Sequence, residues 1–371
     1  MGLHLIPNDL NINFVGFRKV AYLISGLLLL AGILTLLVMG GLKYGIDFAG
    51  GTVVQIKFEQ PISDEDLKKA LADSELPGLV IQSFGEDSTG YLLRISTQED
   101  SAGSAVREAV TSAMQNNLPG QVYEIQRLEM VGPKVGEDLR SSALQALFLA
   151  TLLMSVYISG RFEHRWFTAL IMALALGGSL YVLDIVGLAK SWQVLAAVIV
   201  TVALCWRLKL AFALGAMISI LHDLLITVGL FAMMGKEFDL TTIAALLTVV
   251  GYSLNDTIIV FDRIRENLYR SKDALGSIIN RSVNQTLSRT VLTSGTTMFV
   301  ILALLFLGGD MIFDFALVLC IGVLVGTLSS IFVASPILLF FEETIRARRD
   351  KEEEEEQQQK RLSGKRGVPQ V

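Results

Sequence analysis

Charge is what this sequence has least of. Only 18% of its 371 residues are Asp, Glu, Lys or Arg, where a soluble protein of this size carries about a quarter. Cysteine is nearly missing too. Cys205 and Cys320 both sit in apolar stretches and read as buried thiols, and there is no CxxC pair or histidine-rich cluster to hold a metal. No cofactor is expected, and the net charge of −5 gives no reason to expect a nucleic-acid partner. These absences exclude a soluble domain, a disulfide scaffold and a Cys/His metal module.

What is present instead is apolar sequence. Hydrophobic residues make up 52% of the chain, and several windows stay apolar for about 20 residues, the length a helix needs to cross a bilayer. The chain reads as a polytopic α-helical membrane protein. Residues 1–42 hold a short N-terminus and a first span, Val20–Leu42, without a small-residue cleavage site and so expected to remain. After a polar region at 43–139, apolar runs lie at Ser141–Ser159, Trp166–Leu188, Trp192–Trp206, Leu210–Met234, Leu240–Phe261, Val291–Leu307 and Asp314–Phe341. With the first span these are eight candidate spans, of which Trp192–Trp206 is the shortest. Arg18/Lys19, Arg161/Arg165, Arg207/Lys209, the Arg263–Arg289 segment and the tail from Arg346 alternate with loops holding Lys190 alone, Lys236 alone or no cation. Basic loops stay in the cytoplasm, so both termini are expected inside and region 43–139 outside.

That outer region has a pattern of its own. "GTVVQIKF" alternates like a strand, "SDEDLKKALAD" opens on a Ser N-cap and reads as a helix, and "LVIQSF" and "YLLRIS" are strand-like. "SAGSAVREAVTSAMQNN" is helical and "QVYEIQRLEMV" is a last strand. The order βαββαβ predicts a split βαβ, ferredoxin-like α+β domain. It has no histidine, cysteine or phosphate-cradling glycine loop, so binding or force transmission is expected of it rather than catalysis. Segment 262–289 mixes charges with Ile264, Leu268, Leu275, Ile278 and Ile279 and reads as amphipathic helix along the cytoplasmic face. The tail 346–371 is a charge run expected to be disordered.

The informative residues are the polar ones inside the spans. An ionisable group at bilayer depth costs roughly 2.5–3.5 kcal/mol and persists where it faces a bundle interior with partners. Ser219, Asp223 and Thr227 form an i, i+4, i+8 stripe beside His222, and Thr248, Tyr252 and Asp256 repeat that spacing beside Asn255. Arg289, Thr293 and Thr297 line one face of a later helix, flanked by Thr290 and Ser294, and Ser329, Ser330 and Ser335 precede Pro336. Read alone, Arg289 is either a companion of Asp256 or a positive-inside anchor, and His222 is either a relay group or the structural partner of Asp223. Carboxylates, a histidine and an arginine converging in a bundle are the arrangement of a proton or ion relay.

The motifs "YGIDFAGG" (44–51), "VGPKVGEDL" (131–139), "HD" (222–223), "GYSLNDTIIVFDRIREN" (251–267), "INRSVNQTLSRT" (279–290) and "SSIFVASPILL" (329–339) occur in that order. Together they closely resemble the SecF family, the smaller half of the SecD–SecF accessory complex of bacterial Sec protein export, related to resistance-nodulation-division transporters. The resemblance implies an inner-membrane protein that uses the proton gradient to help draw exported polypeptides out of the translocon. It implies SecD as partner, the SecYEG translocon and YajC as associates, unfolded polypeptides as substrate and a periplasmic location for 43–139. It also places the proton-transfer carboxylate on Asp256, beside Asn255, with Arg289 as companion and His222 and Asp223 as the "HD" pair.

One departure stands out. Members of that family typically have six spans, whereas the basic loop leading to "HD" occurs twice here in rough form, as "GRFEHRWFTALIM" and "CWRLKLAFALGAMISILHD". The expected architecture is therefore 140–165 as second span and basic loop, 166–208 as an inserted two-span hairpin and 209–345 as core spans. Half of a small-molecule efflux transporter shares the relay logic but would need a larger outer domain and a second bundle. A structural translocon subunit without proton conduction is the other alternative, and an intramembrane aspartyl protease lacks its GxGD-type motif, since "GYSLND" stands here.

Overall fold

A computed structural model of the chain describes residues 11–72, 74, 76–84, 89–96, 102–163, 190–351 and 354, with four helical pairs between 166 and 178. Helix α1 (Phe14–Val38) enters the bundle, its first turn capped by the Asn13 side chain, which accepts from the Gly16 amide. A short helix, α2 (Ile46–Ala49), then leads into the outer domain: β1 (Gly51–Phe58), α3 (Asp64–Ala72), β2 (Val80–Phe84), β3 (Gly90–Ile95), α4 (Ala102–Asn117) and β4 (Tyr123–Val131). The strands form one antiparallel sheet in the order β2-β3-β1-β4. Alternation in β1 sends Val54, Ile56 and Phe58 to the side where Leu67, Leu71, Val110 and Met114 of α3 and α4 close the core. Ser63 begins α3 by accepting from the Asp66 amide and donating to the Asp66 carboxylate. Tyr91 is fully buried in this core, and burial, with its bond to Asp64, pushes the phenol up to about 12, so it remains a donor to the Ile62 carbonyl.

The chain re-enters the bundle through α5 (Pro133–Glu163), followed by α6 (Lys190–Arg207), α7 (Ala211–Met233), α8 (Leu240–Arg270), α9 (Leu275–Leu307) and α10 (Asp310–Ser329). Beyond α10 the helix widens into a π-turn at Ser330–Ala334 and runs on to Lys351. Pro336 has no amide to give the carbonyl four residues back, and the wide turn, with Ser335 Oγ donating to the Ser330 carbonyl at 2.8 Å, accommodates that gap.

Among the described residues six helices are long and apolar enough to cross a membrane. The Trp166–Leu188 run falls mostly outside the described residues. The Trp192–Trp206 run lies in α6, packed on α5 and α7, and among the described residues Leu195–Arg207 counts as a shorter apolar helix. Segment 262–289 is helical and consists of the end of α8 and the start of α9, joined at 271–274. Its apolar residues Ile264, Leu268, Leu275, Ile278 and Ile279 are buried in the core of the bundle. Asn267 locks the hairpin by donating to Ser282 and Gln285, while Asn280 and Asn284 accept from the amides of Val15 and Ile12 at the start of α1.

The contact between α8 and α10 depends on two glycines one helical turn apart. A Cβ on Gly326 would lie 2.9 Å from Ser253 Cβ, and one on Gly322 would collide with the Val249 side chain. Small residues four apart let two membrane helices approach closely. Gly326→Leu is therefore expected to cost about 1–3 kcal/mol, read as a lower thermal unfolding midpoint of the purified protein in detergent. Gly295→Ala should be silent by the same measurement, because a Cβ there meets nothing within 4 Å.

Candidate functional site

The buried apolar residues of the bundle fall into two clusters. One runs through Ile220, Val260, Phe261 and Ile331, the other through Phe231, Leu246, Val249 and Val323. Polar side chains occupy the stretches between them on α7, α8 and α10, and two carboxylates anchor them.

The first carboxylate is Asp223 on α7, 1% exposed. Its Oδ2 accepts from Ser253 Oγ of α8 at 2.5 Å and from Ser329 Oγ of α10 at 2.7 Å. Its Oδ1 lies 2.9 Å from His222 Nδ1, and His222 Nε2 lies 2.9 Å from Ser25 Oγ of α1. Ser219 joins by donating to Ser329 Oγ, and Thr227 donates to the Asp223 carbonyl. The Ser219–Asp223–Thr227 stripe thus points inward along its whole length, and four helices meet on one carboxylate.

The second is Asp256 on α8, fully buried. Its Oδ2 accepts from Ser294 Oγ of α9 at 3.1 Å, and Thr327 Oγ1 of α10 donates in turn to Ser294 at 2.9 Å. Among the described residues its Oδ1 has no hydrogen-bond partner, and neither have the buried hydroxyls of Tyr252, one turn back on α8, and Thr290, one turn before Ser294. The buried face of α9 is therefore Thr286–Thr290–Ser294, one residue round from the Arg289–Thr293–Thr297 stripe expected of it. Arg289 itself is exposed; its charge acts on Asp256, but the two form no ion pair. Asn255 is exposed as well and does not join Asp256, because adjacent residues on a helix point about 100° apart.

So the structure gathers His222 with Asp223, holds Asp256 on a neighbouring helix, and leaves Asn255 and Arg289 on the outer surface of α8 and α9. Sequence reasoning missed Ser25, Ser253 and Thr327. Ser25 is the lone hydroxyl between Tyr22 and Thr35 of α1, a detectable signal, whereas Ser253 and Thr327 resemble any hydroxyl that bonds its own helix. Among the described residues no cluster of His, Cys, Asp and Glu could hold a metal ion.

Chemically the two sites differ. Every oxygen of Asp223 is engaged, which suits a clamp, while Asp256 has one engaged oxygen and one idle one, which suits a group that changes partners. Asp223→Ala strands two serine hydroxyls and an imidazole and is expected to cost at least about 3 kcal/mol. Asp256→Ala releases one hydrogen bond and should cost less than half as much, both being read from thermal unfolding in detergent.

Comparison with known proteins agrees along nearly the whole chain. A family model for the C-terminal region of the SecD/SecF protein export membrane proteins matches residues 110–177 and 186–344, and one for the SecD/SecF GG motif matches residues 35–62. A protein translocase subunit SecF from Magnetococcus marinus is 40% identical over 339 residues, covering 91% of this chain and 94% of that one. Another from Calditerrivibrio nitroreducens is 36% identical over 349 residues, 93% of this chain and 99% of its own. Among solved structures, SecDF of Thermus thermophilus, a translocon-associated membrane protein, superposes with a TM-score of 0.65 at 31% identity. That match covers 92% of this chain and 40% of the longer SecDF chain.

Proposed function

Because the chain belongs to the SecD/SecF family of protein export membrane proteins, as a multi-pass inner-membrane translocase subunit of the SecF kind, we propose that it couples proton flow across that membrane to late steps of export. Both termini lie in the cytoplasm and the α+β domain lies in the periplasm as a ferredoxin-like module that meets the emerging, unfolded polypeptide.

One observation carries the proton assignment: Asp256 is fully buried between α8 and α9 with one oxygen on Ser294 and the other idle. A buried carboxylate that is neither paired nor fully hydrogen-bonded is expensive as an anion. A proton removes that cost, and so does an approaching cation. In the proposed cycle ionised Asp256 draws Arg289 inward, and protonation releases it, so that α8 and α9 exchange two packings. One charge moving through 100 mV supplies about 2.3 kcal/mol for this exchange. His222 and Asp223 form the fixed side of the machine, held to α8 through Ser253.

SecD covers the outer face of α8 and α9. Asn255 and Arg289 lie exposed there, and polar groups on a partner bundle give both side chains partners. SecYEG and YajC are the further associates, and no cofactor beyond the proton gradient is needed. A subunit that conducts no protons is the second reading, favoured by the complete satisfaction of Asp223.

The test is release of a preprotein from membranes with and without a proton gradient, comparing wild type and Asp256→Asn at equal recovery of SecD. The variant is expected to lose the gradient's contribution entirely while keeping the gradient-independent release. A full gradient response in Asp256→Asn would overturn the assignment and leave the structural reading.

A further inference from the structure

The periplasmic domain is joined to the bundle covalently at two places, through α2 from α1 and through Pro133 into α5. A third joint is not covalent, and it falls on the helix that carries Asp256. The loop between α7 and α8 adds a short parallel bridge to the root of the domain: the Gly45 amide donates to the Phe238 carbonyl and the Phe238 amide to the Lys43 carbonyl, both at 2.8 Å. Two residues on, Asp47 Oδ2 accepts from the amide of Leu240, the first residue of α8, at 3.0 Å. The cap of α8 is thus shared. Asp239 takes the Thr242 amide, and a carboxylate from the domain root takes Leu240. Higher on the sheet, Arg94 of β3 forms an ion pair with Glu237 of the same loop.

We propose that this joint transmits the movement of α8 to the periplasmic domain, with Asp47, Arg94 and Glu237 as its positioning residues. The proposal rests on the reading that α8 moves when Asp256 exchanges a proton. The chemistry of the joint suits transmission rather than stability. Arg94 and Glu237 are each about one-third exposed, and such pairs contribute little to folding, so breaking them leaves the domain intact. What they fix is direction: the domain is held at α5 by the chain and at α8 by these contacts, so a shift of α8 against α5 becomes a tilt of the sheet.

The experiment uses the full chain reconstituted with SecD. Asp47→Ala and Arg94→Glu are expected to speed amide exchange across residues 235–243 roughly fivefold, the loss of one cap-sized interaction. They should also reduce the gradient-dependent share of preprotein release to the level of Asp256→Asn, with gradient-independent release and SecD recovery unchanged. Asp47→Asn, which keeps an acceptor oxygen for Leu240, and the charge-swapped pair Arg94→Glu with Glu237→Arg should restore both readouts. Faster exchange with an undiminished gradient response would overturn the proposal, as would a charge swap that restores neither. If Asp256→Asn keeps the gradient's share while the joint variants lose it, the proton assignment falls and the transmission stands.

Discussion

The structure of the bundle turns on one buried carboxylate. Asp223 cannot stay in an apolar interior without partners, and it finds them on three other helices: Ser253 of α8 and Ser329 of α10 directly, and Ser25 of α1 through His222. Each bond is short only if the backbones are close. Gly326 permits that where α10 crosses α8 beside Ser253, and the π-turn begins at Ser330, one residue beyond Ser329. The polar requirement and the packing requirement are therefore solved by the same residues. Charged hydrogen bonds of this kind, each worth about 1.5–3 kcal/mol, explain why the serines are placed on separate helices rather than bonded only to their own backbones.

Against that clamp, Asp256 is under-supplied. It lies on the same helix as Ser253 and is at least as well buried, yet it has a single hydroxyl where Asp223 has two hydroxyls and an imidazole. Two carboxylates on neighbouring helices are thus given opposite surroundings. Full satisfaction fixes position, while partial satisfaction leaves two arrangements close in energy, which a switch requires. The idle hydroxyls of Tyr252 and Thr290 belong to the same under-supplied region, where a second arrangement would find its new partners.

Much of this was legible in the sequence, for identifiable reasons. The strands announced themselves because one face of the sheet is buried, so "GTVVQIKF" alternates, and α3 because Ser63 and Asp66 form its cap. The Ser219–Asp223–Thr227 stripe was readable because a polar face on an apolar helix has one place to go. The inward face of α9 was misjudged by one residue: Arg289 drew the eye, while the buried positions were Thr286, Thr290 and Ser294. Charge marks a residue as notable but does not say which way it faces. The partner of the amphipathic stripe in 262–289 was not legible, since such a stripe fits a membrane surface or another helix equally well, and the burial of Ile264, Leu268 and Ile278 comes from the hairpin made by α8 and α9. Convergence of Ser25, Ser253 and Ser329 on Asp223 was out of reach, because it depends on which helices are neighbours.

Helix α8 brings these features into one mechanical element. It runs unbroken from Leu240 to Arg270, about 46 Å at 1.5 Å per residue. Its first turn is capped by Asp47 at the root of the α+β domain, its middle holds Ser253 on the Asp223 clamp and Asp256 with its idle oxygen, and its end is locked to α9 through Asn267. Ser253 lies less than one turn from Asp256, so in the proposed cycle the clamp is a fulcrum beside the group that exchanges its proton. From Asp256 back to Leu240 the helix spans about 24 Å, and a rigid rod pivoting near one end displaces the other in proportion to that length. In that proposed cycle a small repacking at Asp256 is enough to move the domain root, provided the rod stays helical throughout. The sequence respects that condition: Gly251 is the one glycine between Leu240 and Asp256, and no proline interrupts the run.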